Sequence, residues 1–299
     1  MKKGLFVCLV ILMSMGLFTG VRSTISQEFR GIQATPDHEK RSCIQEVDGY
    51  AFLSEDMTLA QTRSAAFATA KRQALEMAQT FIESKTKMEN FVMKFDEVTS
   101  STQGAVTILE QKDLGIEDNT RYHVWIKAEV EYALFPKGGA AAEPDEVDQG
   151  KPLTVKVWTS KKKYKDGESI EIYVRGNRDF YARILDVTSS GDIIQLLPND
   201  YRRINFFKSG KVYKIPDEED HFDLKVSPPY GEDQIVVYAS EVPLGEVEME
   251  KIGQGLGQFR GSRTKLSAQT RGISVVGSKQ GSLSGAEFYE ATWTLTTGQ

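Results

Sequence analysis

Side chains that bind metals or form disulfides are scarce in this sequence of 299 residues. Of its two cysteines, Cys8 and Cys43, the first lies in an apolar N-terminal run that we expect to be removed, so we expect no disulfide within the mature chain. The three histidines, His38, His123 and His221, do not have the spacing of a zinc site, and neither H-E-x-x-H nor C-x-x-C occurs. We therefore expect no bound metal and no cofactor.

Positive charge is also in short supply. The chain has 37 Lys and Arg against 42 Asp and Glu, which gives a net charge of -5. Loss of Lys2, Lys3 and Arg22 with the N-terminal run would remove three positive charges and leave -8. Nucleic acids and anionic lipid surfaces select basic proteins, so we expect neither as a partner. The hydrophobic content of 40% is sufficient for a core, and the length leaves room for two domains.

The N-terminal run is typical of an export signal. Lys2 and Lys3 precede an apolar stretch that ends at Phe18, and this stretch is shorter than the roughly 20 residues that span a bilayer comfortably. Ser23 and the nearby Val21 mark a signal-peptidase site, so we expect a signal peptide over residues 1–23 and a periplasmic or secreted mature chain. No second apolar run of this length follows, so we expect no transmembrane segment in the mature chain. The alternative is an uncleaved anchor.

The first half of the chain predicts a small α+β domain over residues 46–135, after a flexible N-terminal segment over residues 24–45. A short strand begins at Val47. Thr58 with Gln61 has the pattern of a capping box at the start of a helix.

One stripe of the predicted helix carries small and apolar residues at every third or fourth position. Its members are Ala66, Ala70, Ala74, Met77 and Phe81. This spacing predicts packing against a sheet, because alanine permits close approach but offers no chemistry. Alternation from Tyr122 to Tyr132 then predicts a half-buried strand.

The second half predicts an all-β antiparallel sandwich over residues 151–299, joined to the first half by a linker over residues 136–150. Short alternating runs provide inward faces between turn residues: Leu153-Val155-Val157, Ile170-Ile172-Val174, Phe180-Ala182-Ile184, Phe222-Leu224-Val226 and Ile235-Val237-Ala239. Many short strands with glycine and proline turns are typical of a sandwich or a partly closed barrel. The Gly- and Ser-rich stretch near residues 253–285 predicts an exposed, mobile excursion.

Several short elements lie in a fixed order between Val155 and Pro243. They are Tyr164-x-x-Gly167-Glu168, Asp179-x-Tyr181, Asp186-Val187-x-x-x-Gly191, Leu196-x-Pro198-Asn199, Gly210-x-x-Tyr213-x-Ile215-Pro216 and Pro229-x-Gly231. Together they resemble the bacterial family called domain of unknown function 4384. The resemblance implies an exported or multidomain accessory module for which no activity is established.

The first half carries a second resemblance. Its alanines, Ala66, Ala70, Ala74 and Ala78, precede the strand Tyr122-His123-Val124-Trp125-Ile126. This arrangement resembles the exported-lipoprotein and flagellar-assembly-protein-T N-terminal family. The chain departs from that family because it has no lipid-acceptor cysteine directly after the apolar run.

Two groups of residues are candidate binding surfaces. The first combines aromatic and cationic side chains that suit sugars or peptides: Tyr201, Arg202, Arg203 and Phe206. The second is a basic island that suits an anionic polymer or an acidic protein: Arg260, Arg263, Lys265 and Arg271. The alternatives are loop and core packing for the first group and a solvated loop for the second.

The residues favour a non-catalytic accessory or binding module of the bacterial cell envelope, with an envelope protein or an extracellular polymer as its partner. We find no convergent set of acid, base, nucleophile or metal ligand in the sequence. Two alternatives stay open. One is a hydrolase that acts on envelope material through carboxylates such as Asp179, Asp186 or Asp200, and the other is a structural subunit of an envelope assembly.

Overall fold

The structure is a computed structural model. It describes residues 36–85, 91–95, 106–136, 151–218, 220–253, 255–272 and 285–299. The predicted signal peptide over residues 1–23 lies outside the described residues. The described residues all belong to one compact unit, Ala34–Gln299.

The described residues contain two helices and fifteen strands. Helix α1 spans Leu59–Lys85 and helix α2 spans Arg263–Thr270. The strands are β1 (His38–Phe52), β2 (Phe91–Phe95), β3 (Val106–Glu117), β4 (Arg121–Pro136), β5 (Val155–Thr159), β6 (Lys163–Lys165), β7 (Ile172–Gly176), β8 (Phe180–Val187), β9 (Ile193–Leu197), β10 (Phe206–Phe207), β11 (Tyr213–Ile215), β12 (Glu232–Ser240), β13 (Glu250–Gly253), β14 (Leu256–Phe259) and β15 (Ala286–Gly298).

Most of these strands belong to one large sheet, and three form a smaller sheet. The large sheet has the order β13-β14-β9-β8-β12-β15-β1-β4-β2, with β3 also on β4, β10 on β8 and β6 on β15. The small sheet has the order β11-β7-β5. The predicted fold class is confirmed, because a strand-helix-strand region precedes a largely antiparallel β body.

Strand β15 connects the two predicted parts of the chain. It pairs antiparallel with β1 on one side and with β12 on the other, so the large sheet runs through both parts. All but the first residue of the predicted linker over residues 136–150 lie outside the described residues. The division of the chain at this point therefore stays a prediction.

The start of α1 is as the sequence predicts. The backbone N–H of Thr58 donates to Oε1 of Gln61 at 2.8 Å, and the backbone N–H of Gln61 donates to Oγ1 of Thr58 at 3.3 Å. These two bonds satisfy amide groups that a helix start leaves without intrahelical partners.

Alanine packing on the sheet is also confirmed. Ala66, Ala70 and Ala74 are fully buried in a core with residues of β1 and β4. The approach is closest at Gly49 of β1, where an added Cβ would lie 2.6 Å from the Cβ of Ala70 and closer still to the carbonyl oxygen of Ala66. The helix therefore depends on small residues on both sides of the contact.

Substitution Gly49→Ala is expected to lower the free energy of unfolding by about 1–3 kcal/mol, because the added methyl group overlaps a rigid helix backbone. Chemical denaturation measures the change. Gly298→Ala in β15 is the matched control, since no heavy atom outside its immediate neighbours lies within 4 Å of an added Cβ there. Equal stability of the two variants would contradict the close packing of α1 on β1.

Two predicted boundaries need correction. Residues 38–45, predicted as flexible, form the first half of β1, and Ser42, Cys43, Ile44 and Gln45 are buried. They show no alternation because this part of the strand is covered on both faces. Part of the predicted mobile excursion is ordered as well: residues 256–270 contain β14 and α2, while residues 273–284 lie outside the described residues.

The two faces of the large sheet have different covers. Helix α1 packs on the face that includes Cys43 and Val130, and strand register places Ala291 and Trp293 of β15 on the same face. Nε1 of Trp293 donates to Oγ1 of Thr159 in β5 at 2.9 Å, so the small sheet covers this face further along. Helix α2 packs on the opposite face.

No helix among the described residues is both long enough and apolar enough to cross a membrane.

Candidate functional site

A cavity of about 310 Å³ lies between the two sheets, near the ends of β8, β12 and β15. Its apolar walls come from both layers and include Ile172 of the small sheet and Ile235 and Leu295 of the large sheet. Two carboxylates, Asp186 and Asp233, also line it. We call this cavity the aspartate pocket.

The two aspartates continue the inward faces of neighbouring strands. Phe180, Ala182 and Ile184 are fully buried, and Asp186 is the next residue on the same face of β8. Ile235 is paired with Asp186 across the sheet, and Asp233 precedes Ile235 by two residues on β12. Such diagonal neighbours on one face have Cα atoms roughly 7–8 Å apart. The strand register therefore places two carboxylates side by side at the end of an apolar layer.

Asp186 is the less satisfied of the pair. Its Oδ1 atom is buried and has no hydrogen-bond partner in the part of the chain that the structure describes. Burial and the neighbouring charge of Asp233 raise the pKa of Asp186 to about 7. A carboxyl group in this setting is poised between its neutral and ionised forms near neutral pH.

Asp233 has the partners that Asp186 lacks. Its Oδ1 accepts the backbone N–H of Ser189 at 2.7 Å, and Oγ1 of Thr297 lies 3.4 Å from its Oδ2. Burial raises the pKa of Asp233, whereas these two donors lower it. The two neighbouring aspartates therefore have different environments, which is the usual means by which paired carboxyl groups acquire different protonation states.

The mouth of the pocket carries two further carboxylates. Asp192 receives hydrogen bonds from Ser190 at 2.8 Å and from Gln258 at 2.7 Å, so both of its oxygens are occupied. Asp223 is exposed and lies 3.9 Å from Nζ of Lys225. Negative charge thus dominates the polar lining, with Lys225 as the one cation among the described residues that line the pocket.

A short segment, residues 223–229, covers one side of the pocket. Backbone hydrogen bonds hold it to residues 167–170: Ile170 donates to Leu224 at 2.8 Å, and Val226 donates to Glu168 at 3.0 Å. We call residues 223–229 the covering segment. It places exposed side chains, including that of Ser227, at the pocket opening.

The arrangement can bind a polar group that reaches Asp186 while its apolar part contacts the isoleucine and leucine walls. Such a combination of apolar lining and few polar groups is typical of small-ligand sites, and the volume is at the lower end of their range. Among the residues that the structure describes, no three His, Cys, Asp or Glu side chains group as a metal site.

The predicted aromatic and cationic surface is partly used for internal contacts. Arg202 lies 3.2 Å from carboxylate oxygens of both Asp217 and Asp220. Phe206 pairs with Tyr181 across the sheet, and their ring centroids are 4.9 Å apart. Tyr201 and Arg203, which complete the predicted surface, remain exposed.

The predicted basic island is not an open surface. Arg271 is buried, and its Nε and Nη2 atoms donate to Glu129 at 2.5 Å and to Glu290 at 2.8 Å. Helix α2 turns this part of the chain onto the sheet, where Arg263 and Arg271 contact acidic residues of β4 and β15.

The other members of the island also differ in their surroundings. Arg263 donates to Glu290 at 3.0 Å, and Arg260 is paired with Glu250. Lys265 is exposed. The structure therefore disperses the four predicted cations among separate contacts.

Of the three carboxylates considered for catalysis, only Asp186 lines the pocket. Asp179 is paired with Lys208 at 2.8 Å and Asp200 with Lys251 at 2.7 Å. The hydrogen bonds from these lysines lower the pKa of both carboxyl groups.

Sequence reasoning did not find Asp233. The signal was present in the sequence, because an aspartate extends each of two inward runs, Phe180-Ala182-Ile184 and Ile235-Val237-Ala239, by one step of two residues. What the sequence alone does not give is the register, which decides that the two extensions are neighbours.

Comparison with known proteins supports one of the two resemblances. Residues 163–243 match the model of a family described as Domain of unknown function (DUF4384). The matched segment contains Asp186 and Asp233 and the covering segment. No curated protein matches the chain.

Proposed function

We propose that this protein is an exported, non-catalytic accessory module of the bacterial cell envelope, and that it binds a protein or polymer partner through the aspartate pocket. The similarity of residues 163–243 to a domain of unknown function supports a module that is used as a unit. The envelope location rests on the export signal that the sequence predicts over residues 1–23.

One observation carries the binding role. The buried Oδ1 of Asp186 has no hydrogen-bond partner among the described residues, although Asp186 lines a cavity with apolar walls. Leaving a buried polar atom unpaired costs about 1–3 kcal/mol, so proteins retain such atoms at few positions. A ligand group that binds this oxygen would recover that free energy.

A bulky side chain at the pocket opening is expected to block partner recovery. Ser227→Trp places an indole on the exposed covering segment, and Ser54→Trp is a matched control at an exposed serine that does not line the pocket. In crosslinked pull-downs from envelope extract, we expect the wild type and Ser54→Trp to recover the same partner. We expect Ser227→Trp to recover about tenfold less. Equal recovery by both variants, or no partner at all, would count against the proposal.

A hydrolase is the second candidate, because the paired aspartates give it specific support. Glycosidases use a pair of carboxyl groups, one of which is a general acid with a raised pKa. Under this alternative Asp186 is the acid and Asp233 is the base. Release of reducing ends from envelope polysaccharide, lost in both Asp186→Asn and Asp233→Asn, would favour this alternative over binding alone.

A further inference from the structure

We propose that the aspartate pocket takes a primary ammonium group on an alkyl chain, of the kind that a lysine side chain provides, with the ammonium on Asp186. This inference rests on the proposed binding function and gives it a ligand chemistry. Three observations support it: the hydrogen bonds and ion pairs that the four carboxylates of the pocket already make, the charge of the residues that line the pocket, and the apolar walls.

The partners that each carboxylate already has within the protein favour Asp186 as the group that binds the ammonium. Asp192 has both oxygens engaged by Ser190 and Gln258, and Asp233 is engaged by Ser189 and Thr297. Asp223 is exposed beside Lys225. Asp186 alone among these four has a buried oxygen without a hydrogen-bond partner in the described residues, and it lines the pocket, so we place the ammonium on this carboxyl group.

The sign of the charge favours a cation. The described residues that line the pocket include four aspartates and one lysine, and the lysine is already near Asp223. Burial and Asp233 both disfavour the ionised form of Asp186, and the attraction of an incoming positive charge would offset these two effects. An anionic ligand would instead add a further negative charge to the group.

The walls favour an alkyl stem over a bare ion. Ile172, Ile235 and Leu295 offer apolar surface beside the carboxylates. Lysine-like chains bury their methylene groups against such surface while the charged end stays with polar partners. A hard divalent cation would instead need six to eight oxygen ligands, and the described residues do not group three carboxylates as a metal site.

Calorimetric titration with Nα-acetyl-lysine methylamide tests the proposal on the full mature chain. The uncharged analogue Nα-acetyl-norleucine methylamide has a stem of similar shape and is the ligand control. We expect the lysine compound to bind at least tenfold more tightly, because a charge-assisted hydrogen bond contributes more than contact alone. 1,5-Diaminopentane distinguishes a free amine from a peptide lysine as the source: tighter binding of the peptide compound would identify the peptide.

The protein variants are Asp186→Asn and, as a control, Asp179→Asn. Asp179 is half-buried and paired with Lys208 outside the pocket. We expect Asp186→Asn to weaken binding of the lysine compound by tenfold or more and Asp179→Asn to leave it unchanged. Equal binding of the lysine and norleucine compounds would overturn the proposal, as would heat from calcium without heat from either amine.

The pH dependence of the affinity for the lysine compound is an independent test of the proposal. The groups that face Asp186 or line the same pocket are Asp233, Asp192, Asp223 and Lys225. An ammonium ligand requires ionised Asp186, so its affinity should rise by up to about tenfold per pH unit between pH 5 and 7 and then level off. An affinity that falls over this range would indicate a ligand that accepts a hydrogen bond from the protonated acid, and would overturn the proposal.

The two proposals fail separately. Calorimetric binding of the amine without a pocket-dependent partner in envelope extract would uphold the ligand chemistry and remove the envelope function. A pocket-dependent partner without amine binding would uphold the binding function and remove the ligand chemistry.

Discussion

Substitution of Arg271 by methionine is expected to lower the free energy of unfolding by about 3 kcal/mol. Arg271 is buried between Glu129 of β4 and Glu290 of β15, and it also lies over the ring of Phe288 at 4.5 Å. Methionine keeps much of the packing but leaves two buried carboxylates without their shared cation. Removal of one partner of a buried ion pair usually costs about 3–5 kcal/mol. We expect the lower end because Lys40 remains 3.4 Å from Glu129 and Arg263 remains 3.0 Å from Glu290.

Arg260→Met provides the matched control. Arg260 belongs to the same group of cations in the sequence, but its side chain is 61% exposed and its partner Glu250 is 55% exposed. Exposed pairs contribute little because water and salt screen them, so we expect no measurable change in stability. Urea denaturation of both variants measures the difference. Equal effects of the two substitutions would contradict the internal role of Arg271.

Substitution Asp186→Asn is expected to stabilise the protein at neutral and alkaline pH. Burial and the charge of Asp233 raise the pKa of Asp186 from 3.8 to about 7. The folded state therefore binds a proton that the unfolded state has lost between these two values, and the contribution of Asp186 to stability falls as the pH rises through this window. At pH 8 the ionised carboxylate costs about 2–4 kcal/mol, and asparagine avoids this cost.

The measurement is urea denaturation of wild type and variant from pH 4 to pH 8. We expect the two proteins to be equally stable near pH 4 and the variant to be progressively more stable up to about pH 7, with a constant difference above it. Asp179→Asn is the control with the opposite sign, because Lys208 lowers the pKa of Asp179. A constant difference in stability at every pH, or a loss of stability in Asp186→Asn at pH 8, would show that the pKa of Asp186 is not raised in the folded protein.

Much of the fold follows from local patterns in the sequence. The capping box at Thr58 and the alanine stripe of α1 each depend on neighbours within a few residues, and both are confirmed. The inward face predicted for β4 is buried as expected, but Lys127 and Glu129 of the predicted outer face are buried too, so the strand is not half-buried along its whole length. The runs Phe180-Ala182-Ile184 and Ile235-Val237-Ala239 of the β body are confirmed as well, because all six residues are buried. The run Phe222-Leu224-Val226 is not part of a strand, and Leu224 is only partly buried.

The features that were missed depend on long-range pairing. The lack of alternation predicts a flexible segment for the first half of β1, whereas elements far away in the sequence cover both of its faces. The lack of nearby acids predicts a surface position for Arg271, but its partner Glu129 lies 142 residues earlier in the chain.

The candidate site shows the same limit. The sequence predicts Asp186 only as one of several candidate carboxylates, and it does not single out Asp233. Their proximity depends on the register between β8 and β12, and register is set by the whole hydrophobic pattern and by the turns rather than by either strand alone.

Binding at the aspartate pocket depends most directly on the protonation state of the Asp186 carboxyl group in the folded protein. Carboxyl-detected NMR of protein labelled with carbon-13, with Asp186→Asn to assign the signal, measures its titration. We predict a midpoint near pH 7 in the free protein and a lower midpoint once Nα-acetyl-lysine methylamide is bound. A midpoint near 4, unchanged by that compound, would contradict the pocket as the binding site.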